Sequence, residues 1–307
     1  MDQSMNPPQQ PPVPPTPPPP SGGRFRRGLH LLGISWRVVM SEKSLLVLPL
    51  VAMFTGLLLF AGLAGIFWTT GTITRVGQAS SGTNFYAQLT PVDYGLLGLY
   101  YFLAAFITVY FNAVIIAIAM KRLGGEDAKL SDGFKMANKH LGKIAGWALV
   151  TATVGLILRS LEERAGIIGR IVIGIIGLAW AIITFFVVPV LLFEANVGVF
   201  GSVKRSALLF KQRWGEQLTG TISITLLFGL LGFVAVAISV AVAFVVPVLG
   251  IFLAVASILA MTALSGAVSG VFNAALYRYA PTGQAGGGFT EGDLNGAFYA
   301  KKRFGRS

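Results

Sequence analysis

The residues that could do chemistry in this 307-residue chain are few, and they sit at the ends of apolar runs. Glu194 closes a run that contains Pro189, and a basic segment carrying Lys204, Arg205, Lys211, Arg213 and Trp214 follows it. A carboxylate in that position either pairs with Lys204 or Arg205 as an interfacial acid or serves as a cation-coupling group. Asn112 and Asn273 fall roughly 7–13 Å inside the nearer edge of their runs, at about 1.5 Å of rise per residue. Buried amides in membrane helices usually bond across to a neighbouring helix; a substrate contact is the other reading. Ser257, Ser265, Ser269 and Asn273 share one face of the last run, with Gly266 and Gly270 beside them. That face suits either close helix packing or the lining of a polar conduit.

Other constellations exclude more than they suggest. His30 and His140 lie in basic segments with no ligand type nearby, so a metal site is not expected. The three glycines at 286–288 have no strand before them and no Lys-Ser/Thr after them, which makes a linker and not a phosphate loop. The absence of cysteine removes disulfides, thiolate metal sites and thiol nucleophiles. No Ser-His-acid set and no carboxylate pair assembles at one depth. None of the six apolar runs contains an Asp, Glu, Lys, Arg or His, which argues against a proton-coupled pump. An enzyme is therefore the weakest class, and no catalytic residue, cofactor or metal is assigned.

The elements that position these residues follow from composition. The chain is 54% hydrophobic and only 12% charged, with a mean hydropathy of +0.71. Soluble domains carry roughly twice that share of charge, and several uncharged runs reach the ~20 residues that cross a bilayer. The fold class expected is all-α, a polytopic transmembrane helical bundle of six spans. The spans fall near 45–68, 96–120, 144–158 and 171–193, with two more within 218–277. The third is short. The second opens on Thr90-Pro91-Val92-Asp93, a helix start with Thr as N-cap, Pro at the first position and an acid at the third. Pro189 should free the carbonyl near Phe185 and bend the fourth span.

A net charge of +12 would suggest nucleic acid in a soluble protein. Here Lys and Arg flank apolar runs, so anionic headgroups explain them better and no nucleic-acid partner is expected. Three basic amphipathic segments, 24–43, 124–143 and 203–214, each precede an odd-numbered span and suit the bilayer interface. In the third, Val203, Ala207, Phe210 and Trp214 form a narrow apolar stripe. The loops on the other side carry only Arg75, Arg159, Arg164 and Arg170, so the positive-inside rule puts both termini in the cytoplasm of a multi-pass cell-membrane protein. Val187-Val188-Pro189-Val190 echoes Val245-Val246-Pro247-Val248, and Phe111-Asn112-Ala113 echoes Phe272-Asn273-Ala274, as three related hairpin units would. Residues 1–23 form a proline-rich arm expected to be disordered and dispensable for folding; 24–280 form the six-span domain; 281–307 form a Gly-rich, basic tail.

The stretches 35–50, 111–125, 161–194, 203–217 and 272–283 together resemble a prokaryotic family of six-helix integral membrane proteins of unknown function. The succession of proline, acid and K-R-S-x-x-L-F-x-x-x-W-G is also distantly similar to the membrane domains fused to some glycerophosphodiester phosphodiesterases. The resemblance implies location and architecture. Phosphodiesterase chemistry belongs to a separate soluble domain and does not come over with the motif. The function expected is a non-enzymatic membrane protein that binds or organises lipids or membrane-protein partners, in one copy or as a homo-oligomer. The alternative is a small-solute transporter or channel.

Overall fold

The computed structural model describes residues 24–42, 44–78, 89–213 and 219–282. The proline-rich arm, Trp214 and the tail beyond 282 lie outside them. The described residues are helical almost throughout, in the order α1 (Arg24–Ser41), α2 (Ser44–Thr69), α3 (Thr72–Gly77), α4 (Pro91–Leu123), α5 (Leu130–Lys139), α6 (Leu141–Arg164), α7 (Ile167–Ile183), α8 (Val187–Phe193), α9 (Val199–Arg213), α10 (Thr219–Ala243) and α11 (Pro247–Thr282). Among the described residues, five helical segments are long and apolar enough to cross a bilayer: Leu45–Thr69, Pro91–Leu123, Leu141–Arg164, Ile167–Phe193 and Pro247–Tyr279. A shorter apolar stretch, Phe228–Ala243, lies within α10. The result is a polytopic helical membrane bundle. The third span escapes its short apolar run because α6 extends over 24 residues, about 36 Å. It takes in Arg159, whose Nη1 donates to the Tyr101 hydroxyl at 3.2 Å.

Burial is concentrated at one end of the bundle. Ala113, Val114, Ile116 and Ile118 of α4 are buried there, with Val271, Phe272 and Leu276 of α11, Val190 and Leu191 of α8, Leu45 of α2 and Ile144 of α6. These are the segments nearest the basic loops. Toward the other end the helices turn apolar side chains outward: Phe54, Leu57 and Phe60 on α2, Ile171 and Ile175 on α7, Phe233 and Ile238 on α10. In water such a surface would aggregate; against lipid tails it costs nothing. Two glycines permit the close packing at the buried end. A Cβ at Gly270 of α11 would stand 2.5 Å from Ile115 Cγ2 of α4, and one at Gly133 of α5 would stand 2.7 Å from Ile118 Cγ1.

The three basic amphipathic helices are joined to this end. α1 packs on α10 and α11, α5 on α4, and α9 on α7 and α8. In α9 the fully buried positions are Ser202, Ser206 and Leu209. The expected stripe of Val203, Ala207 and Phe210 is only half-buried, so the inward face is turned by about one residue. The reason is polar: the bundle needs the hydroxyls of α9, as shown below.

Ion pairs tie the same end together. Arg122 bonds Glu42, which follows α1, and also Asp127 in the α4–α5 link at 2.8 Å. Lys121 Nζ donates to Asp132 Oδ2 at 2.9 Å. That bond, with a second from the Lys129 backbone N–H, holds the Asp132 carboxyl below the usual carboxylate range. At the opposite end the Thr90 cap and Pro91 form as expected, and the capping acid Asp93 does more than cap. It is 1% exposed and accepts from Thr72 Oγ1 at 2.8 Å, Thr90 Oγ1 at 2.7 Å and Arg75 Nη2 at 3.0 Å. The segment after α2, read from sequence as a plain polar loop, thus begins with the short α3 docked through Arg75 onto the start of α4.

Candidate functional site

The polar residues of the buried end converge on a gap in one span. α7 stops at Ile183 and α8 begins at Val187, with Thr184, Phe185 and Phe186 as turn between them. Pro189 lies in the first turn of α8. With no N–H of its own, it cannot cap the carbonyl of Phe185, four residues earlier. That carbonyl instead accepts from Asn273 Nδ2 of α11 at 2.8 Å. The sequence expectations for Pro189 and for a cross-helix amide at Asn273 therefore meet in one bond. Thr184 Oγ1 donates to the Trp180 carbonyl at 2.7 Å and finishes α7.

Ser206 of α9 serves the rest of the gap. Its hydroxyl donates to the Ile183 carbonyl at 2.6 Å and accepts from the Phe186 N–H at 3.0 Å. This requires a small hydroxyl at a buried position, which is why α9 presents Ser206 inward and not the wider apolar stripe. The serine sits inside the Val203-Lys204-Arg205-Ser206 motif, so its presence was visible; its orientation was not, because helical periodicity weights apolar residues.

About two turns below the gap, α8 ends at Phe193 with Glu194 as its C-cap. Arg205 Nε donates to both carboxylate oxygens of Glu194, at 2.9 and 3.1 Å, and the Tyr277 hydroxyl donates to Oε1 at 3.3 Å. Arg205 is one of the two partners that the sequence offers Glu194, and the pair is formed. Asn196, in the link to α9, takes a left-handed φ of 60°, which Asn tolerates better than most residues.

The other expected residues fall around this node. Asn112 on α4 is half-buried, its Oδ1 3.9 Å from the space a Cβ on Gly270 would fill, one turn from Asn273. Ser269 and Ser265 lie one and two turns before Asn273 on α11, both half-buried and away from the gap. Lys204 and Lys211 of α9 are exposed; Arg213 closes α9, and Trp214 is outside the described residues. His140 Nδ1 lies 3.0 Å from the Met136 carbonyl, within hydrogen-bonding distance. Among the described residues no group of three His, Asp or Glu stands together in a metal-binding arrangement.

The geometry has a definite chemical character. Three backbone groups at the gap, the Ile183 and Phe185 carbonyls and the Phe186 N–H, have side-chain partners, and the carboxylate beside it is held by a guanidinium and a phenol. This is a joint that keeps a broken span rigid. A bundle of long lipid-facing helices with interfacial helices locked to one end defines a polytopic membrane protein. Within that class the chain belongs to DUF6159, a family of unknown function, whose model matches residues 92–289. The match runs from the first turn of α4 through α11 and so contains the whole node. No curated protein and no solved structure matches the chain; the likeness to phosphodiesterase membrane domains rests on the motif alone.

Proposed function

We propose that this protein is a non-enzymatic membrane scaffold that gathers anionic lipid headgroups against its basic end. One observation carries the reading. Of the five acids described at that end, four are engaged within the protein, Glu42 and Asp127 with Arg122, Asp132 with Lys121 and Glu194 with Arg205, and only the exposed Glu126 holds no ion pair among the described residues. Arg37, Lys135, Lys139, Lys204 and Lys211 are exposed there and hold no ion pair among the described residues. An uncompensated set of cations on the faces of α1, α5 and α9, at the depth where apolar spans end, suits a surface of negative potential. Each such cation near it contributes about 1 kcal/mol. The cytoplasmic leaflet is the surface this reading assigns, with both termini on that side. A membrane-protein partner with an acidic juxtamembrane segment would use the same faces.

A transporter would use the gap in the fourth span differently. Broken helices serve transport when their free backbone groups face a substrate cavity. Here Ser206 and Asn273 occupy those groups, which favours the scaffold. The test is the association of spin-labelled phosphatidylglycerol and phosphatidylcholine with the full chain in vesicles. Replacing Lys135, Lys139, Lys204 and Lys211 by Gln should reduce the preference for phosphatidylglycerol and leave phosphatidylcholine binding alone. An unchanged preference rules the reading out. Arg205 is left in place, because its loss would break the joint as well as the surface charge.

A further inference from the structure

The end of the bundle opposite the basic helices is expected to carry few cations, and its loops hold four arginines: Arg75, Arg159, Arg164 and Arg170. Arg75 is taken by Asp93. The other three converge. They line a cleft of about 1030 Å³ between the first turns of α4 and the last turns of α6, beside the start of α7. All three come from one reversal of the chain, residues 159–170, at the end of α6 and the start of α7. α6 runs past its apolar segment to Arg164, the chain reverses at Ala165 and Gly166, and α7 starts at Ile167 with Arg170 in its first turn.

The cleft has two kinds of wall. Its rim is polar: three arginines and the carboxylate Glu163 line it, and with the exposed Glu162 next to Glu163 the segment keeps one positive charge in excess. Glu163 Oε1 accepts from Arg159 Nε at 3.3 Å, and Arg159 also donates to Tyr101, so Arg159 is held in place. Arg164 and Arg170 are exposed and pair with no acid among the described residues. Its inner wall is Leu97 and Leu156, with Gly98 between helices; a Cβ there would meet nothing within 4 Å. The flanking Leu99, Ile157 and Leu161 are exposed on the lipid-facing surface of the same helices. A cationic rim beside an apolar wall, with exposed apolar side chains on the same helices, suits one ligand chemistry: a phosphate carried on an acyl chain. Guanidinium forks suit phosphate oxygens geometrically as well as electrostatically. The volume lies at the top of the range for small-molecule sites and fits a headgroup with the first part of its chains.

We propose that this cleft binds the phosphate headgroup of an anionic phospholipid. Arg164 and Arg170 hold the phosphate, Arg159 is positioned by Glu163 and Tyr101, and the chains run along Leu97, Gly98 and Leu156. The site uses none of the lysines of the basic end and stands or falls separately from the scaffold reading.

The experiment uses the full chain in vesicles with a photo-crosslinking side chain at Leu97, and compares yields with labelled phosphatidylglycerol and labelled phosphatidylcholine. The native chain should favour phosphatidylglycerol. Replacing Arg164 and Arg170 together by Gln should lower that preference about tenfold, the scale of losing one charge-assisted hydrogen bond. Gly98→Leu, which fills open space and alters no charge, should lower it as well. A preference lost in the arginine variant but kept in Gly98→Leu would ascribe it to surface charge and overturn the cleft, as would equal yields for both lipids in the native chain. Inorganic phosphate is the second probe, added to the chain in neutral detergent. A rise in thermal midpoint that requires Arg164 and Arg170 would assign the cleft to the free anion and overturn the lipid; no rise, with the crosslinking preference in place, supports the lipid.

Discussion

At the residue scale the most consequential contacts are those of two small polar side chains with a broken backbone. Ser206 serves two backbone groups, the Ile183 carbonyl and the Phe186 N–H, while Asn273 serves one, the Phe185 carbonyl. A buried backbone group left without a partner costs about 1–3 kcal/mol. Ser206→Ala strands two such groups and should destabilise the bundle by about 2 kcal/mol or more. Asn273→Ala strands one, and it also removes a buried acceptor, Asn273 Oδ1, which has no partner among the described residues. Its net cost should be nearer 1 kcal/mol, within the range of hydrogen bonds between membrane helices. Unfolding in micelles of increasing SDS content measures both. A cost for Asn273→Ala above that for Ser206→Ala would mean the amide has a role beyond the gap.

At the element scale the question is why the fourth span breaks where it does. Val-Val-Pro-Val occurs twice. At 187–190 it opens α8 inside a span, starting about 10 Å before Glu194 at 1.5 Å of rise per residue. At 245–248 it makes the turn into α11, with Pro247 as first residue. The local sequence is the same and the outcome differs, because in the first case α9 and α11 supply partners for the freed groups. This is where the sequence was legible and where it stopped. The spans, the Thr90 cap, the freed Phe185 carbonyl and the pairing of Glu194 all follow from short-range chemistry. The inward face of α9, the docking of α3 through Arg75 and the placing of the 159–170 arginines beside the first turns of α4 depend on which helices become neighbours, and no local pattern states that. The proline account makes its own prediction. Pro189→Ala returns an N–H to position 189, within reach of the Phe185 carbonyl. In that background Asn273→Ala should cost almost nothing. An equal cost in both backgrounds would show that the bond to Phe185 is not what Asn273 contributes.

At the scale of the whole molecule the two ends of the bundle do different work. One end is dense: α4 packs against α11 and α5 through glycine contacts, α8 packs on α4, and α1 and α9 close over them. The other end splays, and its apolar side chains face outward. The charge distribution follows the same division. At the dense end four of the five described acids are held in internal pairs and a surplus of cations remains; at the splayed end Asp93 is buried against Arg75, and three arginines line one cleft with Glu163, next to Glu162. Positive surplus in short loops sets the orientation of membrane proteins because translocating Lys and Arg is unfavourable. The dense end should therefore face the cytoplasm. Reporter fusions after residues 80, 130, 165, 210 and 300 test this: 130, 210 and 300 should report the cytoplasm, and 80 and 165 the far side. Position 130 starts α5 and position 210 lies in α9, so the two report on interfacial helices that the fold attaches to the same end. If either reads external while the other reads cytoplasmic, the helices cannot share an end and the packing of α5 on α4 or of α9 on α8 is wrong. If both read external, the fold stands but the bundle is inverted, and the assignment of the basic end to the cytoplasmic leaflet is wrong.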